Sequence, residues 1–209
     1  MLATRGHLAP GTEPIRSVRL LGVFLAAGLL YGAVIGAYSL RPLQMLYSAL
    51  KVPLLVAGAG LVCLPNLFVL NTVLGLREDL SAVLRGAILA QGTVAISLAA
   101  LAPITAVAYL SLGDYPDAVV FNGIVFLVAA LAGQLTMSRH YRPLIARNPR
   151  HRLARDAWLG LYGFVAIQMA WVLRPFVGDP ARPTRFFRAG AWSNAYVEVA
   201  TLVWQSLSR

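Results

Sequence analysis

Among its 209 residues the chain has one cysteine, one lysine, three histidines and eight carboxylic acids. The single thiol, Cys63, excludes an intramolecular disulfide and any cysteine-built metal cluster, and its apolar neighbours assign it to packing. His7, His140 and His151 all lie outside the long apolar runs, so a haem or pigment has no histidine anchor at depth. No carboxylate enters those runs either. Proton-coupled transporters and intramembrane hydrolases depend on such buried ionisable groups. GxSxG, P-loop and HExxH patterns are missing, and no acid stands at triad or metal-ligand spacing from a histidine. The loops lack the repeated oxygen ligands of a calcium site. Neither enzymatic activity nor a metal or organic cofactor is expected.

Charge is also scarce, at 12% of residues against 58% hydrophobic. Five runs, 20–40, 52–76, 86–113, 118–138 and 157–173, contain no charged side chain at all. A helix of roughly 17–25 apolar residues crosses a ~30 Å hydrocarbon core, and each run is close to that length. The expected fold is therefore all-α: a polytopic transmembrane helical bundle of five spans plus interfacial amphipathic helices. The first run is too long for the apolar core of a signal peptide and reads as an uncleaved span. Residues 1–19 lack periodicity and are expected to form a loosely ordered arm. Residues 20–177 make the five-span domain, and 178–209 a basic, aromatic segment ending in an amphipathic interfacial helix. The remaining polar segments are too short for an independent soluble domain.

What charge there is carries information by its placement. Seventeen arginines and one lysine against eight acids give a net charge of +10, but they gather at the ends of the runs, and the basic stretch 139–155 lacks, apart from Tyr141, the interleaved aromatics of a nucleic-acid groove. No nucleic-acid partner is expected. Six arginines, with His140 and His151, fall in 139–155, read as a loop between spans four and five. With the N-terminus in the cytoplasm, eleven of the eighteen basic residues are cytoplasmic and seven are outside. The positive-inside bias therefore predicts a cytoplasmic N-terminus and an outside C-terminus. The excess of arginine over lysine is compatible with a GC-rich bacterial genome, and hence with a bacterial inner membrane.

Finer patterns nominate specific residues. Gly28, Gly32 and Gly36 line one face of span one, a stripe that lets another helix approach closely, foremost one of the same chain. In 41–51 the residues Leu43, Leu46, Tyr47 and Leu50 oppose Gln44, Ser48 and Lys51. That spacing predicts a short helix lying in the interface, with Pro53 opening span two afresh. Pro65 and Pro103 are expected to kink spans two and three. Glu78 and Asp79 are placed at a helix N-terminus, and Asp117 is expected to cap span four. The polar groups at depth are amides, among them Asn66, Gln91, Asn122, Gln134 and Gln168. Asn66, Gln91 and Gln168 are singled out as intramembrane polar contacts between helices, or alternatively as the lining of a lumen.

The C-terminal segment combines Arg174, Arg182, Arg185 and Arg188 with three phenylalanines, a mixture suited to headgroup level. Arg182, Arg185 and Arg188 recur every third residue, so a helical turn is expected to bring them to one side. In 192–208, Trp192 and Tyr196 fall on an apolar stripe and Glu198 on a polar one, as in an interfacial helix. These seven residues are the expected contacts to anionic lipid headgroups or to a partner.

Five spans in this order and size resemble the layout of Yip-domain membrane proteins. The stretches Leu46-Tyr47-Ser48-Ala49-Leu50-Lys51-Val52-Pro53 and Leu173-Arg174-Pro175-Phe176-Val177-Gly178 resemble segments of uncharacterised bacterial polytopic proteins. The resemblance implies a five-span helical fold and no particular activity. The functional expectation is a non-catalytic integral membrane protein, a scaffold or accessory subunit held by the bilayer and by a membrane-protein partner or a second copy. The alternative is a small channel or carrier lined by amides.

Overall fold

The structure, a computed structural model, describes residues 13–188, 191, 192 and 194–197. Among them all regular structure is helical: α1 Glu13–Gly36, α2 Pro42–Val73, α3 Leu80–Ser111, α4 Tyr115–Arg147 and α5 Arg150–Leu173. All five helices are long and apolar enough to cross a membrane, and the chain is a multi-pass, all-α bundle. They alternate in direction. The end that holds Gly36, Arg41, Tyr115 and residues 174–188 is called upper here, and the end that holds Asp79, Arg147 and His151 lower. Helix α1 packs on α2 and α3, α4 on α3, and α5 on α2. Two apolar clusters fill the interior, one around Tyr31, Leu98 and Val125 and one around Leu67, Tyr141 and Trp158. Leu29, Leu61, Ile88 and Leu127 face outward, as expected where the solvent is lipid and each helix satisfies its own backbone.

Several expectations give way to the geometry. The interfacial helix over 41–51 does not exist as a separate element. Helix α2 runs unbroken from Pro42 through Pro53 and Pro65 to Val73. Its supposed wet face is the buried one. Gln44, Ser48 and Lys51 are sealed inside the upper bundle, while Leu43, Leu46 and Leu50 point out. The reason is the glycine stripe of α1, which lies against this stretch. A Cβ on Gly28 would stand 3.1 Å from the Pro53 ring, one on Gly32 would collide with the Ser48 carbonyl, and one on Gly36 would be 2.7 Å from the Met45 Cα. Backbone-to-backbone approach holds the first turns of α2 in the bundle, and the helix continues through Pro53 despite the hydrogen bond that its missing N–H removes.

The ends of helices also move. Residues 13–19, expected in a loose arm, belong to α1, which gives way at Gly36 to a 3-10 turn over Ala37–Ser39 that completes the first span. Leu40 closes the α1–α2 turn with φ of 51°, and Gly75 serves the α2–α3 turn with φ of 71°, the left-handed region that glycine enters without penalty. Asp114, not Asp117, occupies the N-cap position of α4. The expected six-arginine loop over 139–155 is mostly helix. Helix α4 continues to Arg147 and α5 starts at Arg150, so the arginines project from two helix ends around a tight Asn148–Pro149 turn. At this lower end the Nε2 of the fully buried His151 lies 3.0 Å from Asp79 Oδ2, and Arg147 stands 3.9 Å from the same carboxylate. One turn thereby latches onto the other. Residues 174–188 form no helix, so Arg182, Arg185 and Arg188 are not brought together by a helical turn.

Candidate functional site

A lateral cleft of about 1360 Å³ opens between α4 and α5. These helices meet at the lower turn, where the Tyr141 and His151 rings are 6.0 Å apart. Farther up, α4 and α5 form opposite walls of the cleft, and α2 supplies its floor through Leu55, Val56 and Ala59. Small residues keep the walls apart. Gly123 on α4 and Gly163 on α5 both line the cleft, and a Cβ at either would meet nothing within 4 Å. Ala130, Ala166 and Ala170 extend the same surfaces.

The upper end of the cleft is roofed by residues 174–188, which α2 holds in place. Lys51 Nζ donates to the Pro175 carbonyl at 2.8 Å, and Gln44 Nε2 donates to the Phe176 carbonyl at 3.0 Å. Ser48 Oγ donates to that same carbonyl. Lys51 also lies 4.9 Å from the Phe186 ring centroid. Buried deep in the upper bundle, its ammonium is thus compensated by a carbonyl dipole and an aromatic face. Arg41 donates to the carbonyls of Pro180 at 2.6 Å and Arg182 at 2.7 Å. Gly178 fits flush against Gln44, whose Cγ would be 2.7 Å from a Cβ there. Gln44, Ser48 and Lys51 are thus buried because they terminate the exposed carbonyls of a non-helical segment, which must find donors at the edge of a membrane.

This clamp places Arg174, Arg182, Arg185 and Arg188 together on the rim of the cleft. Arg182 Nε pairs with Asp179 Oδ2 at 3.3 Å. The guanidinium carbons of Arg174 and Arg188 lie 3.4 and 4.6 Å from the Trp171 ring centroid, a favourable cation–π arrangement. Arg188 Nε and Nη2 are buried and have no hydrogen-bond partner among the described residues. The other expected contacts are elsewhere. Trp192 is exposed, with its ring 5.9 Å from that of Phe187. Tyr196 stacks on Phe164 at 4.4 Å and donates to the Phe164 carbonyl at 2.8 Å. Phe164 lies nine residues before the end of α5, roughly 13 Å down the helix. Residues 195–197 are helical and lie against α5, and the rest of the expected helix from 198 to 208 lies outside the described residues. Glu198 lies outside the described residues.

Of the five amides noted at depth, Asn122 and Gln134 line the cleft, while Asn66, Gln91 and Gln168 do not. Asn66 sits on the exposed side of α2. Gln91 Oε1 accepts from Tyr162 at 2.9 Å, and Gln168 Oε1 accepts from the Ala195 N–H at 3.0 Å. The amide at the centre of a buried network is Asn122. It accepts from Tyr31 at 3.0 Å and donates to Tyr109 at 2.7 Å, and Tyr109 donates in turn to the Ile35 carbonyl at 3.1 Å. The network ties α1, α3 and α4 together at the upper end. The cleft walls were not singled out in the sequence. Their signal is the recurrence of Gly163, Ala166 and Ala170 along α5, which by spacing alone signifies tight packing as readily as an open wall.

Fold and site together define a multi-pass helical membrane protein with a lateral cleft under a basic roof. Set against family models, curated proteins and solved structures, the chain matches none.

Proposed function

We propose that this chain is a non-catalytic integral membrane protein, an accessory or scaffold component of a membrane assembly, which engages the lipid of that assembly through the α4–α5 cleft. We place it in a bacterial inner membrane with its N-terminus in the cytoplasm. The observation that carries this reading is the cleft: mostly apolar along its walls, open sideways to the bilayer, and roofed by arginines at one end only. A site of this shape takes up an amphiphile from the side without any catalytic group having to act on it. The interior polar residues support the same reading, because Tyr31, Asn122, Tyr109, Gln91 and Tyr162 are engaged with one another between helices. An amide-lined carrier finds no support in Asn66, Gln91 and Gln168, which face three different environments.

The test is native mass spectrometry after extraction in a mild detergent, with co-purifying proteins identified in parallel. About one tightly held lipid per chain is expected. Gly163→Phe, which fills the cleft from a position with open space before it, is expected to lose that lipid and keep the fold. A chain that retains no lipid and recovers no partner overturns the proposal, as does equal retention by the variant.

A further inference from the structure

The cleft is a gradient of polarity along one continuous surface, and a gradient selects an occupant. Its lower and middle walls are mostly apolar, with Val120, Leu127, Leu131 and Ile167 turned to it and the amides Asn122 and Gln134 among them. From Tyr115 to Gln134 on α4 it extends over twenty residues, roughly 28 Å at 1.5 Å per residue, and so exceeds the ~15 Å depth of one leaflet. The rim is cationic: Arg41, Arg174, Arg182, Arg185 and Arg188 line it against a single acid among the described residues, Asp179.

Those cations are not equally committed. The Arg41 guanidinium is taken up by backbone carbonyls and Arg182 by Asp179. Arg185 makes no ion pair among the described residues. Arg188 holds its carbon over Trp171 while Nε and Nη2 are buried without an acceptor among the described residues. Buried guanidinium donors left unsatisfied are costly, and a phosphate oxygen satisfies them with short, charge-assisted bonds. A bilayer supplies such a phosphate at the level where the rim lies, attached to the acyl chains that the walls below accommodate. A transmembrane helix of another protein would have to provide its own carboxylate at that height.

We infer that the occupant of the cleft is an anionic phospholipid of the leaflet at the upper end, its phosphate seated against Arg185 and Arg188 and an acyl chain running down between α4 and α5. This inference rests on the cleft reading proposed above and adds the charge of the headgroup and its orientation.

The full chain is placed in phosphatidylcholine nanodiscs carrying a small fraction of photoactivatable phosphatidylglycerol or, separately, photoactivatable phosphatidylcholine. Labelling of peptides from α4 and α5 is then mapped. Phosphatidylglycerol is expected to label the cleft in preference to phosphatidylcholine. Arg185→Gln and Arg188→Gln are each expected to reduce that preference roughly fivefold, the usual effect of one basic residue near an anionic surface. Arg185 is exposed and its replacement leaves packing untouched, so that variant stays informative even if Arg188→Gln fails to fold. Gly163→Phe is expected to abolish cleft labelling by both lipids. Equal labelling by the two lipids, unchanged by the arginine variants, overturns the headgroup inference and leaves the cleft reading intact. Labelling by both lipids that persists in Gly163→Phe, or crosslinks to a protein chain in place of lipid, overturns both.

Discussion

Asn122 and Asn66 carry the same amide at similar apparent depth, and their environments differ completely. Asn122 is buried and bonded to two tyrosines from two other helices, whereas Asn66 faces outward. Interhelical hydrogen bonds in membrane proteins contribute about 0.6 kcal/mol on average and up to about 1.7. Asn122→Leu is therefore expected to cost about 1–2 kcal/mol, since it also strips Tyr31 of its acceptor. Asn66→Leu is expected to leave thermal unfolding in detergent unchanged. Equal shifts in the two variants would remove the network from the account of stability. Sequence alone gave no means of ranking these amides, because helical spacing locates a residue along its own helix but not the neighbours that face it.

At the scale of elements the decisive contact is that of α1 with the first turns of α2. A side chain at Gly32 collides with backbone atoms of Ser48 and Ala49, which cannot swing aside as a side chain can. Gly32→Leu is expected to cost about 3 kcal/mol, at the upper end of overpacking penalties. Ala26→Leu, on the exposed side of the same helix, is expected to be nearly neutral. Circular dichroism melts of both variants check this. The second element-level contact is the clamp on residues 174–188. Lys51→Met keeps the buried stem and removes the bond to the Pro175 carbonyl and the cation beside Phe186. The five helices are expected to remain, while tryptic cleavage after Arg185 accelerates roughly fivefold, as follows from losing about 1 kcal/mol of local stability. Unchanged cleavage would mean that Gln44, Ser48 and Arg41 suffice as the clamp.

For the whole molecule, the alternation of five helices fixes which loops share a side. Single cysteines introduced at Asp114 and Arg182, with Cys63→Ala as background, are expected to label from one face of the membrane. Cysteines at Glu78 and Asn148 are expected to label from the other. Under the proposed orientation the second pair is cytoplasmic. Labelling of Asp114 and Asn148 positions from the same face would contradict the bundle itself. Both ends of the molecule are basic, the lower through the arginines around the Asn148–Pro149 turn and the upper through the roof of the cleft. The upper set borders the cleft.

The all-α, five-span architecture was legible in the sequence because lipid imposes a local rule. A run without charge and long enough to cross must be helical to satisfy its own backbone, and that holds for each run whatever its neighbours do. The closeness of a glycine stripe to some other helix was legible for the same local reason. Which helix it meets was not. The fate of Gln44, Ser48 and Lys51 depended on carbonyls more than 120 residues away in sequence, so an amphipathic pattern that reads as water-facing became the most buried polar surface of the upper bundle. The arginines of the rim were visible as a cluster in sequence. Their convergence over an apolar cleft was decided by tertiary structure, because a non-helical segment has no period from which direction can be read, and because the gap between α4 and α5 is a property of how two helices diverge rather than of either one.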